Sequence, residues 1–209
     1  MMVSINVCWQ HETAAKRHVH MKVTKAQAQA NRAHIVDTAS VLFRERGYDG
    51  VGVADLMAAA GFTHGGFYKH FGSKADLMAE ASASGLSKSA AASAGIDPAA
   101  FLEHYLSRAH RDGRADGCTM AALSGDAARQ PEAVKAAFAA GIESQLAALD
   151  QGEDAVQTAA LRALKIDLMA RAVGAIMLSR ACPDDSPLAD EILDVCRANA
   201  LAALARPVG

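Results

Sequence analysis

"GFTHGGFYKHFGSKADL", residues 61–77, decides the fold. The segment holds four glycines, three phenylalanines and a tyrosine, with His64, Lys69, His70 and Lys74 between them. A buried helix would not carry that much glycine, and a surface loop would not carry that much aromatic. Two short helices joined by a tight turn accommodate both. Val53 to Ala60 is helix-permissive, with Val53, Leu56 and Ala60 on one face, and Gly61 stops it. Thr63 stands as a possible N-cap for a second helix from His64 to Phe71. Phe62, Phe67 and Phe71 then point inward, and Gly65 and Gly66 lie on the opposite side. Glycine in a helix costs roughly 1 kcal/mol relative to alanine, so two in one helix suggest that a surface must approach the backbone there. Ser73 caps the next helix, with Asp76 at its N3 position.

Working outward, Ile35, Ala39, Leu42 and Phe43 recur at helical spacing. They predict a first helix over 26–46, ended by Gly47. Toward the C-terminus, residues 81–96 are low in bulk and read as a loosely packed helix end and loop. Asp97-Pro98 opens a helix to about His110. Further helices are expected from Cys118 to Arg129, from Pro131 to about Leu149, from about Ala155 to Arg180, and from Pro187 to about Ala205. Alanine is abundant and β-branched runs are absent, so the fold class is all-α. In the last two helices Leu161, Leu164, Leu168, Ala172, Ala175, Ile176 and Ser179 form one stripe. Leu188, Ile192, Val195, Asn199 and Ala202 form a second.

The 209 residues carry a net charge of −2, unevenly spread. Residues 1–85 hold 9 Lys/Arg against 7 Asp/Glu, and no acid occurs between Thr13 and Val36. A basic arm ahead of an acidic body suits a partner bearing phosphates. Residues 1–21 lack periodicity and a signal-peptide pattern, and are expected to be a disordered extension, with Met21 a natural start. No apolar run approaches the roughly 18 to 20 residues that span a membrane. The four cysteines show no CxxC spacing, so no metal site is implied and a cytoplasmic location is expected. No HExxH, Gly-x-Ser-x-Gly, phosphate loop or dinucleotide fingerprint is present, which argues against an enzyme and against a bound cofactor.

The pattern GYDG..VADL..AAGFT.GGFYKHFGSKADL, over residues 27–77, resembles the DNA-binding domain of the TetR family of bacterial transcriptional regulators. The resemblance implies an all-α homodimer with a three-helix DNA-binding domain over 22–75 and a larger ligand-binding and dimerisation domain over 76–209. It implies a palindromic DNA operator as partner, a repressor released by a small molecule, and dimerisation through the last two helices. Tyr68 and Lys74 would contact phosphates, and Thr63 would cap the recognition helix and reach a phosphate. His64, Gly66 and Lys69 are the base-edge candidates, with Gly65 allowing close approach. His70 is either a packing residue facing the first helix or a DNA contact. Lys22 and Lys25 would extend as an arm. The helix opened by Ser73 would link the two domains. Three positions depart from the family pattern. Val51 and Gly52 stand where relatives carry Thr or Ser, and Met57 replaces a small residue.

Tyr105, Cys118, Met120, Phe138, Met169 and Met177 are candidates for lining a ligand cavity. Two alternatives stand beside this reading. Cys118, following a glycine, would serve as a thiol sensor of oxidants or electrophiles, or the helical body would be controlled by a protein partner.

Overall fold

The computed structural model describes residues 24–149 and 159–206. The expected extension over 1–21, together with Lys22 and the expected helix start near Ala155, lies outside them. Among the described residues every regular element is helical.

Helix α1 (Lys25–Arg46) begins where the Thr24 hydroxyl accepts from the Gln27 N–H at 3.1 Å. It buries Ile35, Val36, Ala39 and Phe43. It ends at Gly47, whose φ of 73° few other residues adopt and whose N–H returns to the Phe43 carbonyl. Arg44 and Arg46 occupy its last turn, where cations suit the helix dipole. Helix α2 (Val53–Ala59) stops before Gly61, which also has a positive φ.

The next element differs from expectation. Residues His64–Lys69 form a 3₁₀ helix rather than an α-helix running to Phe71. The glycine pair weakens the α conformation, and the short segment settles into the tighter turn. Thr63 makes no side-chain cap; its carbonyl accepts the Gly66 N–H instead. Phe67 and Phe71 are buried and Phe62 is partly so.

Helix α3 (Lys74–Ser93) is capped as expected, with the Ser73 hydroxyl accepting from the Asp76 N–H at 3.1 Å. It does not fray at residue 81 but continues for 20 residues. Its small side chains serve close packing rather than disorder. Helix α7 (Glu132–Ala148) lies against α3 so closely that a Cβ on Gly141 would come within 2.5 Å of Leu86. The expected domain division at residues 75/76 therefore falls in the first turn of one continuous helix.

Asp97 caps α4 (Pro98–Tyr105), accepting from the Ala100 N–H at 2.9 Å. This helix breaks at Leu106 instead of reaching His110. The Ser107 hydroxyl accepts from the His110 N–H and starts a new helix, α5 (Arg108–Asp112). Helix α6 (Thr119–Ala127) packs on α1, α3, α7 and α8. Helices α8 (Ala159–Ala181) and α9 (Pro187–Leu204) pack mainly on each other. Arg111 is 2 % exposed and stitches α5 to the α8–α9 turn, donating to the Ser179 and Cys182 carbonyls and pairing with Asp184.

Tyr48, fully buried, ties the first three elements to the rest. Its N–H donates to the Asp126 carboxylate on α6, its carbonyl accepts from the Lys74 ammonium at 2.6 Å, and its hydroxyl meets the Ser82 hydroxyl at 2.5 Å. Ser82 spends its own proton on the Met78 carbonyl, so the tyrosine is the donor. Burial pushes the Tyr48 phenol up to about 12, and the Asp126 charge adds to it. The folded state thus holds the phenol neutral, above its unfolded value near 10. Its contribution is intact below about pH 10 and is lost as pH rises toward 12, amounting to about 2–3 kcal/mol. Tyr48→Phe is expected to flatten the stability–pH curve between about pH 10 and 12 while costing about 1 kcal/mol at neutral pH. Denaturant melts of both proteins across that range check it, and parallel alkaline limbs would contradict it.

Candidate nucleic-acid interface and ligand cavity

Two regions stand out, at opposite ends of α3. The first is the surface of the 3₁₀ helix. Thr63, His64, Gly65, Tyr68 and Lys69 are exposed and Gly66 is half-buried. Tyr68 is 69 % exposed, the largest exposure of any large apolar side chain described. Its ring meets only Phe67, edge-on at 5.2 Å. A Cβ on Gly65 would meet nothing within 4 Å, and the backbone there has no positive φ. Nothing among the described residues requires glycine at that position. Gly66 would make only ordinary contacts, with Met57 and Thr63.

Behind this surface, Arg32 of α1 forms a two-pronged ion pair with Glu80 of α3. It also donates to the His70 carbonyl and stacks over the Phe71 ring at 4.5 Å. The paired carboxylate, chiefly through its hydrogen bonds, holds the Arg32 guanidinium above its ordinary value. His70 is half-buried, its ring beside Phe62 and Phe71, so the structure places it in packing rather than on the open face. Lys74 is likewise occupied inside the chain, with its ammonium on the Tyr48 carbonyl. Lys25 is exposed in the first turn of α1. Val51 is buried at 1 % exposure and Gly52 starts α2 with no side-chain cap. A hydroxyl at 51 would therefore point into the core.

The second region is a cavity of about 710 Å³ lined by residues of α1 and of α3 through α9. Of the candidate lining residues, Tyr105, Cys118, Met120 and Met169 form its wall. Phe138 and Met177 do not. Phe138 is buried in the core on α7, and Met177 is 37 % exposed with its methyl end toward Gly125 of α6. Spacing alone cannot tell a methionine facing a cavity from one facing away. Wall residues that the sequence reading missed include Arg44, Phe101, Leu102, His110 and Leu164. Arg44 lies in the first helix, and nothing in its spacing signals a reach into the body.

His110 is fixed as the neutral imidazole. Its Nδ1 faces the Tyr105 carbonyl at 2.7 Å and acts as donor, while Nε2 accepts from the Cys118 N–H at 3.2 Å. Burial is the main cause holding it below its ordinary value, helped by the charges of Arg180 and His104 and opposed by the Tyr105 carbonyl. The Tyr105 phenol, stacked on His110 at 4.3 Å, is held well above its ordinary range by burial and then by the neighbouring Cys118. Cys118 itself is 8 % exposed and has no disulfide partner.

An exposed aromatic-and-basic turn beside a glycine with room to spare, carried on a three-element core, defines a helix-turn-helix domain. Comparison with known proteins agrees. Residues 35–81 match the family profile described as "Bacterial regulatory proteins, tetR family". The HTH-type transcriptional regulator AcrR of Shigella flexneri is 42 % identical over 57 residues, 27 % of this chain and 26 % of that one. The HTH-type transcriptional repressor DhaR of Mycobacterium sp. (strain GP1) is 49 % identical over 43 residues, 21 % and 22 % of the two chains. The match thus spans only about a quarter of these relatives' length. A TetR-family transcriptional regulator from Agrobacterium tumefaciens superposes with a TM-score of 0.64 over 84 % of this chain and 97 % of that one, at 24 % identity. Residues 35–81 thus carry the sequence profile of the TetR family, and the chain as a whole has the fold of a solved TetR-family transcriptional regulator.

The His110 geometry makes a pH prediction. The folded state resists protonation that the unfolded chain accepts near pH 6.5. The stability contributed by the neutral imidazole is therefore present above that pH and is lost as pH falls below it. The melting temperature is expected to drop between about pH 7.5 and 5.5, and to drop less in His110→Gln. Equal drops in the two proteins would contradict the assignment.

Proposed function

We propose that the chain is a ligand-controlled transcriptional repressor that binds duplex DNA as a homodimer through residues 63–69 and is released by a small molecule in the cavity. The observation that carries this reading is Gly65 beside Tyr68. A glycine with open space and ordinary backbone angles, next to a tyrosine 69 % exposed, fits a backbone that must lie against another surface. Tyr68 and Thr63 supply hydroxyls for phosphates, and His64, Gly66 and Lys69 face the major groove. The Lys74 ammonium has two N–H donors beyond the one on Tyr48, so it serves as a secondary phosphate contact. Lys25, at the start of α1, contributes to the arm, and His70 contributes by packing.

The dimer reading is supported by the outer faces of α8 and α9. Leu178, Leu188 and Val195 are more than half exposed, and Gly174 of α8 has open space around it. Of the two stripes, the one through Leu168, Ala172, Ala175, Ile176 and Ser179 faces the protomer's own core. The Leu188–Val195–Asn199–Ala202 stripe of α9 is exposed. A small-molecule effector is favoured over a protein partner by the concave, mainly apolar cavity. A thiol signal at Cys118 needs an accessible thiolate, and its burial beside Tyr105 favours non-covalent control.

Selection of bound duplexes from a random library tests the whole reading. The expected product is an inverted repeat whose half-sites lie about one helical turn apart, roughly 34 to 36 Å. Recovery of unrelated sequences would overturn it. On the selected DNA, Tyr68→Phe should weaken binding about three- to tenfold on every sequence variant alike. His64→Ala should instead reorder the variants, and uniform loss there would remove it from base reading. In sedimentation the wild type should run as a dimer, and Leu188→Glu with Val195→Glu should run as a monomer. A monomeric wild type would refute the α8–α9 interface.

A further inference from the structure

The cavity is mainly apolar, yet one of its few charged wall groups comes from the DNA-binding end of the chain. Arg44 projects from the last turn of α1 into the wall. Its Nε donates to the Ala115 carbonyl and its Nη1 to the Ser40 hydroxyl, each at 2.7 Å. Both acceptors are neutral. Among the described residues Arg44 makes no ion pair, and the Asp116 carboxylate acts on it only at a distance. Hydrogen-bonding capacity stands idle nearby. A Cβ on Gly85 would fall 2.4 Å from the Thr119 hydroxyl and 3.2 Å from Arg44 Nη1, so these two groups flank one point. Among the described residues the buried Thr119 hydroxyl has no hydrogen-bond partner. Lys88, paired with Asp37 of α1 at 2.7 Å, and Lys165 are further basic residues of the wall, against the one carboxylate of Asp116.

A guanidinium held only by neutral acceptors binds an anion more strongly than it binds a carbonyl. The surrounding apolar wall would bury a hydrocarbon body. We propose that the effector is an amphipathic organic acid, an aliphatic or aromatic body ending in one acidic group, and that Arg44 seats that group. The inference rests on the cavity being an effector site. Arg44 belongs to α1, so an acid that draws its guanidinium from Ala115 and Ser40 acts first on the link between α1 and the body.

The test uses N-phenyl-1-naphthylamine, a neutral dye that fluoresces in apolar cavities, displaced by decanoate or by decylammonium at about pH 8. Both competitors have ten carbons and opposite charge, and the amine's one extra methylene works against the expected preference. Decanoate should displace the dye from the wild type at a concentration at least about tenfold lower. Arg44→Gln should erase that preference with the dye still bound, and Arg44→Lys should retain part of it. Equal displacement by the two competitors, or a preference that survives Arg44→Gln, overturns the acid seat while leaving the cavity reading intact. Failure of the wild type to bind the dye overturns the cavity reading and this inference with it. If circular dichroism shows Arg44→Gln unfolded, the wild-type preference and Arg44→Lys decide.

Discussion

The buried turn at Tyr48 is the constraint on which the rest of the structure depends. Three groups from three places satisfy one residue: Asp126 from α6 at its N–H, Lys74 at its carbonyl, and Ser82 at its hydroxyl. A buried backbone polar group without a partner costs about as much as a lost hydrogen bond, so none of the three can leave cheaply. The turn fixes where α1 ends, where α3 begins, and where α6 meets both. The 3₁₀ helix hangs from this frame by Phe67 and Phe71 and by the Arg32 bridge to Glu80 and His70. Its outer face is then free to be chosen for something other than stability.

That division explains what could be read in advance. The helix-turn-helix was legible because its signals are local and mutually consistent. Gly47 and Gly61 mark helix ends with positive φ, Ser73 is a true N-cap, and the phenylalanines fall on one side. The 3₁₀ geometry of His64–Lys69 was not legible, since glycine spacing signals weak helicity without saying which helix replaces it. The length of α3 was misread because alanine and serine look like a loop until a partner is known. Gly141 is that partner, and it lies 48 residues beyond Ser93, the end of the helix. Ser107 was a cap that spacing could have revealed, as was Thr24.

The cavity was harder to foresee than the exposed face of the 3₁₀ helix. Its wall combines residues from α1 and from α3 through α9, so no single helical period describes it. Tyr105, Cys118, Met120 and Met169 were within reach because bulky or soft side chains near a glycine-containing loop are natural wall material. Phe138 and Met177 have the same chemistry and lie elsewhere. Arg44 shows the limit most plainly. As a cation in the last turn of an exposed helix it reads as a dipole partner, and only the tertiary structure turns it toward the body.

The boundary of sequence similarity carries a consequence of its own. The family profile ends at residue 81, in the middle of α3, while the helix runs unbroken to Ser93. The N-terminal half of that helix buries Leu77, Met78 and Ala81 and pairs Glu80 with Arg32 of α1. The C-terminal half packs Leu86 on Gly141 of α7, bonds Ser93 to Gln145 and lines the cavity through Ser89, with Lys88 reaching Asp37 of α1. One covalent rod is therefore written in two vocabularies. A change in the cavity half alters the cavity wall without altering the residues of the matched segment, yet both halves belong to one rigid rod.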